Sequence, residues 1–444
     1  MPRAATLERC AGEGRVTARA RWRLGAIIVL ALIFALAVTV LLARSGGGVL
    51  TVGPRPSTLL LDDRTGRLFV ASGEEQAVRV VALPGFTLLR TTRVGIKAPR
   101  TGVEPSLLAL DRRDGHLFVA NESDSTRWPA GTVSMLDSTT GALLHVAFVG
   151  GWPESVGVDE RLGRVYVTNF STPTITALDS RRGTVIWTRT LAAGGTAVAP
   201  SMAVDTLLGH LLVLLTAPPN VPAAQAGAST LLVLDARSGR SLRSIPVGRY
   251  SGGLSLDART RRLFVLQVLP PRTATLAVLD AGTGRVVRRT PLGGGVDLLV
   301  AVERAARLFA YDRLNGTLRV VDARSGALRG TVMVGRWVWT MAADERAGYL
   351  LLARIDPARG YDVLILDARS GRAVDQLASP CFPTLVAGDV HRGRALVVSD
   401  NPDCQTTAGG WAGWLHRRLL DTAAPQLAAS REGHLIVLTP VAHP

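Results

Sequence analysis

The chain has 444 residues, a formal net charge of +16, and only 5% aromatic residues among 47% hydrophobic ones. So few rings exclude a ring-rich core and ask for one of Val, Leu and Ala, as in stacked sheets. Of the 51 basic residues only Lys97 is a lysine; no basic run, interleaved aromatic stripe or nucleic-acid motif accompanies the charge, so no nucleic-acid partner is expected.

Residues 1–23 form a basic arm with Arg3, Arg9, Arg15, Arg19, Arg21 and Arg23 against Glu8 and Glu13. Leu24 to Ala43 then carries no charge over twenty residues, and as a helix it would be about 30 Å long, the thickness of a bilayer core. The arginine excess before it predicts a cytoplasmic N-terminus and an extracytoplasmic remainder at the cell membrane. The run is longer than the apolar part of a cleaved signal peptide, the alternative reading, and no good small-x-small site follows it. Residues 24–43 are therefore expected to be a transmembrane signal anchor, followed by a Gly-rich linker at 44–48. Cys10 falls on the cytoplasmic side; Cys381 and Cys404 fall outside, where they could form a disulfide or remain two separate thiols.

From residue 49 onward a short pattern repeats: Asp, three residues, Gly, then an aliphatic strand. Intact copies start at Asp62, Asp111, Asp159, Asp205, Asp344 and Asp389; Asp257 has Arg261 in the Gly slot, and Glu303 starts a copy read as one residue shorter. The spacing is about 47 residues, inside the roughly 40–50 of propeller blades. Each unit reads as four short strands, as in Ser106–Asp111, His116–Ala120, Thr230–Asp235 and Ile245–Gly248. A second Asp-x-x-x-Gly separates the third and fourth strands, for example Asp235/Gly239 and Asp367/Gly371. Asp accepts hydrogen bonds from amides two or three residues on, and Gly takes the left-handed conformation, so these carboxylates read as turn formers and not as catalysts. Arginines in these turns read as solvated, and His116 and His210, directly after the turn Gly, as surface residues.

Val49–Gly53 looks like a fourth strand with no blade before it, and the last unit lacks its own. Its first strands fall near Thr384–Asp389 and Arg394–Ser399, its third near His434–Thr439, with an insertion at 401–433. The prediction is an all-β fold: a β-propeller over 49–440 with four-stranded blades, eight in number or alternatively seven, closed by the N-terminal strand. In the insertion, Trp411, Trp414, Leu415 and Leu419 would share one side of a short amphipathic helix, either against a partner or over the last blade.

Val165-Tyr166-Val167-Thr168-Asn169 resembles the strand signature of the YVTN β-propeller repeat family, and Leu117–Asn121 is a variant of it. The resemblance covers about residues 49–440. It implies an extracytoplasmic propeller and no single activity. Ala177–Trp187 is also similar to the tryptophan-docking motif of eight-bladed quinoprotein dehydrogenases, but Arg182 stands where that motif has Thr, and Trp187 has no counterpart in other blades. Trp187 is read as a packing residue.

No histidine pair has ligand spacing, and no phosphate loop or nucleophile elbow appears, so neither metal nor cofactor is expected. Gly293–Gly295 opens no helix. What differs from blade to blade lies in the connections between the fourth strand of one blade and the first of the next, over the channel mouth. The candidate ligand-binding residues there are Arg55, Arg100, Trp152, Glu154, Tyr250, Asp297, Trp337 and Trp339, with Glu104 and Phe382 nearby. Glu154 and Asp297 are the acids at a position that otherwise holds Ser106, Gly252, Trp339 or Thr384. The favoured reading is a membrane-anchored, monomeric binding or scaffolding propeller for a protein or small-molecule ligand. The alternative is a propeller enzyme, a lactonase-like hydrolase or a quinoprotein-like oxidoreductase.

Overall fold

A computed structural model describes residues 49–83, 85–95, 104–122, 131–191, 198–217, 228–249, 251–269, 273–356, 360–389, 394–399 and 432–438. Leu24–Ala43, Arg100, Tyr250, Cys404, the side chain of Asp297 and the insertion up to residue 431 lie outside the described residues. Among the described residues no helix is long and apolar enough to cross a membrane.

The strands follow the repeat. After β1 (Val49–Pro54) come β2 (Pro56–Asp62), β3 (Arg67–Ser72), β4 (Ala77–Ala82) and β5 (Thr87–Arg93), then β6 (Glu104–Asp111), β7 (His116–Glu122), β8 (Thr132–Asp137) and β9 (Leu143–Phe148). The third blade is β10 (Pro153–Asp159), β11 (Arg164–Asn169), β12 (Thr174–Asp179) and β13 (Val185–Thr190). The fourth is β14 (Val198–Asp205), β15 (His210–Thr216), β16 (Ser229–Asp235) and β17 (Ser241–Gly248). The fifth is β18 (Ser251–Asp257), β19 (Arg262–Leu269), β20 (Thr273–Asp280) and β21 (Val286–Gly294). The sixth is β22 (Val296–Val302), β23 (Arg307–Asp312), β24 (Thr317–Asp322) and β25 (Leu328–Met333). The seventh is β26 (Val338–Asp344), β27 (Tyr349–Asp356), β28 (Gly360–Asp367) and β29 (Ala373–Ala378), and β30 (Leu385–Asp389), β31 (Arg394–Ser399) and β32 (Glu432–Leu438) complete the set. These make eight antiparallel four-stranded sheets, the eighth in the order β1-β32-β31-β30. The count is eight and not seven, and the first strand in the chain closes the last blade: Val49 pairs with Ile436 and Pro54 with Glu432.

The repeated aspartates do what their turn chemistry predicts. Asp111 is buried, and its Oδ1 accepts from the amides of Arg113 and Asp114, both at 3.0 Å. Asp159 does the same for Arg161 and Leu162. Gly66, Gly115 and Gly163 take φ of 67°, 73° and 62°.

One turn corrects the sequence reading. In the sixth blade Val302 pairs with Arg307, as Asp62 pairs with Arg67 elsewhere. The loop is therefore of normal length, Val302 occupies the Asp slot, and Ala306 fills the Gly slot with φ 51°. A single 3-10 turn at Glu303–Ala305, closed by the Ala306 amide on the Glu303 carbonyl, replaces the missing carboxylate.

The apolar core lies between neighbouring sheets. Phe118, Val133 and Met135 of the second blade pack on Val165, Val167 and Leu178 of the third. Phe309, Tyr311 and Leu318 of the sixth meet Leu350, Leu352 and Leu366 of the seventh. The second strand of each blade is covered on both faces, hence its unbroken aliphatic run, while the outermost strand is largely exposed.

Polar side chains add directional ties. Arg113, Arg161 and Arg259 each donate to a carbonyl in the next blade's first turn, Glu160 at 2.9 Å, Thr206 at 2.7 Å and Glu303 at 2.8 Å. First-turn arginines are thus more than solvated charge; Arg237 and Arg240 in a second turn are exposed as expected. His116 and His210 are half-buried and not surface residues, because their slot faces the next blade: His116 Nδ1 lies 2.8 Å from the Ser180 carbonyl. Trp187 is such a tie as well, buried against Tyr166 with Nε1 donating to the Arg237 carbonyl of the following blade at 3.1 Å.

Candidate functional site

The first strand of each blade lines the channel, and those of blades one to seven enter at the same end with an irregularity, whereas β30 pairs with β31 in unbroken register. Pro153 pairs with Asn169 but Ser155 with Thr168, so Glu154 is an extra residue, a β-bulge. The same skip falls at Ser57, Ser106, Gly252, Asp297 and Trp339. A bulged residue leaves the ladder and its side chain is re-aimed, which is why bulges gather near binding sites. The position singled out in the sequence for its variability is therefore a ring of bulges at the channel mouth.

Several of the loops before these bulges are held by groups at the end of a second strand. The Asn169 carboxamide, oriented to satisfy both partners, donates to the Gly150 carbonyl at 3.1 Å and accepts from its amide at 3.2 Å. Tyr311 donates to the Gly335 carbonyl at 2.9 Å and accepts from the Val338 amide at 3.1 Å. Arg354 donates to the Val334 carbonyl at 2.8 Å while pairing with buried Asp362 at 2.6 Å. These groups support the mouth and do not form its surface.

The surface is polarised. On blades one to three it is acidic. Exposed Arg55 and Glu104 lie 3.8 Å apart, a contact worth little in water. Burial, partly offset by the Ser106 hydroxyl and reinforced by Glu104, raises the Glu122 carboxyl above its ordinary value. Glu154 is raised too, by burial and then by Glu122. Beside them Trp152, 42% exposed with φ 55°, leans on Phe170 at 5.8 Å.

On blades seven and eight the mouth is aromatic. Trp337 and Trp339 are 59% and 60% exposed. The Trp339 ring meets Phe382 edge-on at 5.0 Å, and Tyr361 meets the same Phe382 at 5.7 Å. Exposed Arg336 precedes them. Cys381, buried next to Phe382, is disulfide-bonded to a partner outside the described residues.

Arg55, Trp152 and Glu154 thus share one sector and Trp337 and Trp339 another. Glu122, Phe170 and Tyr361 were missed by the sequence reading. They sit at the ends of second and third strands, and the signal for Glu122 was its place directly after the strand signature that ends in Asn121. Among the described residues no group of three or more His, Cys, Asp or Glu could hold a metal ion.

No protein-family model and no curated protein matches the chain. Solved structures do. The C-terminal WD40 domain of Sif2 aligns with a TM-score of 0.59 at 12% identity, over 88% of this chain and all of that one. BamB from Moraxella catarrhalis gives 0.52 at 14%, over 89% and 99%. A europium-containing methanol dehydrogenase gives 0.55 at 12%, over 88% and 93%. The shared feature is the fold. This chain is a β-propeller.

Proposed function

We propose that the chain is a membrane-anchored, extracytoplasmic propeller of the YVTN-repeat type that binds a protein partner across its bulge-lined channel mouth. The observation that carries this reading is the pair of exposed tryptophans, Trp337 and Trp339, the second backed by Phe382 and through it by Tyr361. Large aromatic side chains beside an arginine are what concentrate binding energy at protein interfaces. The carboxylates of blades one to three add orientation, since a partner with a basic segment would lie toward Glu122 and Glu154. The WD40 and BamB likenesses support a binding propeller at the level of fold, and the uncharged run at 24–43 supports the anchor.

The test places a photo-crosslinking residue in the membrane-embedded full chain, at Trp339 or Glu154 on the mouth or at Val287 on the outer wall. The reading expects one discrete product from both mouth positions, absent from Val287 and lost on Trp337→Ala. The same product from Val287, or none from the mouth, would remove it.

A further inference from the structure

Two cavities open on the far end of the channel, among the first turns and away from the mouth described above. One, of about 350 Å³, is walled by Leu59, Leu61, Ala343 and Val386 and rimmed by Asp63, Arg112, Glu345 and Arg346. The other, of about 410 Å³, is walled by Ala109, Val156 and Val158 and rimmed by Arg112, Glu160 and Arg161. Such volumes suit a small molecule, and the walls are aliphatic. Arg112 is common to both.

The rim charges differ in what they already hold. Asp63 accepts from Arg346 at 2.9 Å. Glu160 accepts from the Arg112 amide at 2.9 Å. Glu345 receives the amides of Glu303 at 2.8 Å and Arg304 at 3.0 Å, one on each oxygen. Arg161 donates to the Thr206 carbonyl at 2.7 Å. Each carboxylate therefore already faces an arginine or a backbone N–H dipole, which offsets its field locally. Arg112 is held more loosely. Its guanidinium is about half exposed, and Nε forms an ion pair with buried Asp62 at 3.6 Å, too long for a hydrogen bond, so its donors still face the cavities. A guanidinium offers five N–H donors in a planar fork that matches a carboxylate.

We propose that this turn-side end of the channel binds a small amphipathic carboxylate. Arg112 holds the carboxylate, and the aliphatic body lies along Leu59, Leu61 and Val386 or along Val156 and Val158. The site is separate from the mouth and does not depend on the partner assigned to it.

The test uses the full chain in lipid nanodiscs and titration calorimetry with hexanoate, hexanol and acetate. Hexanoate should bind at least tenfold tighter than either fragment of its chemistry. Arg112→Ala should weaken hexanoate at least tenfold in protein shown by circular dichroism to remain folded, and Arg112→Lys, which keeps a positive charge beside buried Asp62, should recover part of the loss. Ala343→Leu, which narrows the first cavity, separates the two: an unchanged affinity assigns hexanoate to the Val156 side, and a lost affinity to the Leu59 side, both within the proposal. Equal binding of hexanol or acetate, no binding of hexanoate, or an Arg112→Ala variant that binds as well as the parent would overturn it.

Discussion

Tyr311→Phe removes one oxygen and should be felt in two places. The hydroxyl is fully buried and both donates to Gly335 and accepts from the Val338 amide. Phenylalanine keeps the ring in its cluster with Leu350 and Leu352, so no cavity term enters. What is lost is one hydrogen bond, about 1 kcal/mol net, plus about 1–2 kcal/mol for a buried amide without a partner. The sum is about 2–3 kcal/mol. With an unfolding entropy near 2 cal/mol/K per residue over almost 400 residues, the melting temperature should fall by about 2–4 °C if the ring unfolds as one unit. Urea denaturation with an unchanged m-value is the assay for stability. The second effect is local: Gly335 and Val338 bracket Trp337, so the crosslink from Trp339 should weaken more than the stability loss alone requires. A stability change below about 0.5 kcal/mol would refute the reasoning, because it would mean the loop holds its course without the hydroxyl.

Trp187→Phe should cost about 1 kcal/mol through the lost bond to Arg237, whereas Trp187→Ala should cost about 3–5 kcal/mol by opening the seam between the third and fourth blades; chemical denaturation of the pair separates the two contributions, and equal costs would show that the ring does not pack. Glu154→Gln should raise the melting temperature at pH 7. Its folded pKa is raised, so the ionised group stabilises least at neutral pH, and the favourable contribution is present below the unfolded value and lost as pH rises through the folded one. The gain from Gln should therefore vanish below about pH 4, near the unfolded Glu value; a gain that persists there would point to packing instead of charge. Glu122→Gln should behave alike, and the double variant should gain less than the sum because the Glu122 charge is one of the causes that raise Glu154.

The blade plan was legible because it repeats. Asp at one end of a strand and Gly four residues on have a local chemical meaning, and eight copies average out their errors. Where the copy was degenerate the reading slipped. At Val302–Ala306 the anchoring Asp and Gly are both replaced, and only strand register, a non-local property, shows that the loop keeps its length. The mouth was legible as a position but not as a surface. Variability marked Glu154 and Trp339; that both are bulged residues depends on their neighbours Asn169 and Arg354, which lie on the next strand. The pairing of Glu122 with Glu154 joins two blades and has no sequence spacing to betray it. The arginine ties were hidden for the same reason: a guanidinium bonded to a backbone carbonyl leaves no mark on the identity of its partner.

The closure of the eighth blade by β1 has a consequence for how the molecule is made. Val49 waits for Ile436, so the edge of the ring is open throughout synthesis and the other seven blades can form before it closes. The entropy of bringing distant segments together grows only slowly with length, about 0.6 kcal/mol for each doubling, so the penalty is one of time and exposure more than of stability. An unpaired β1 and an uncovered β32 are two strand edges of one chain, each able to pair with its counterpart in a second copy. Folding at high local concentration should therefore produce exchanged dimers with intact blades, and the fraction that closes on itself should rise as the nascent chains are kept apart.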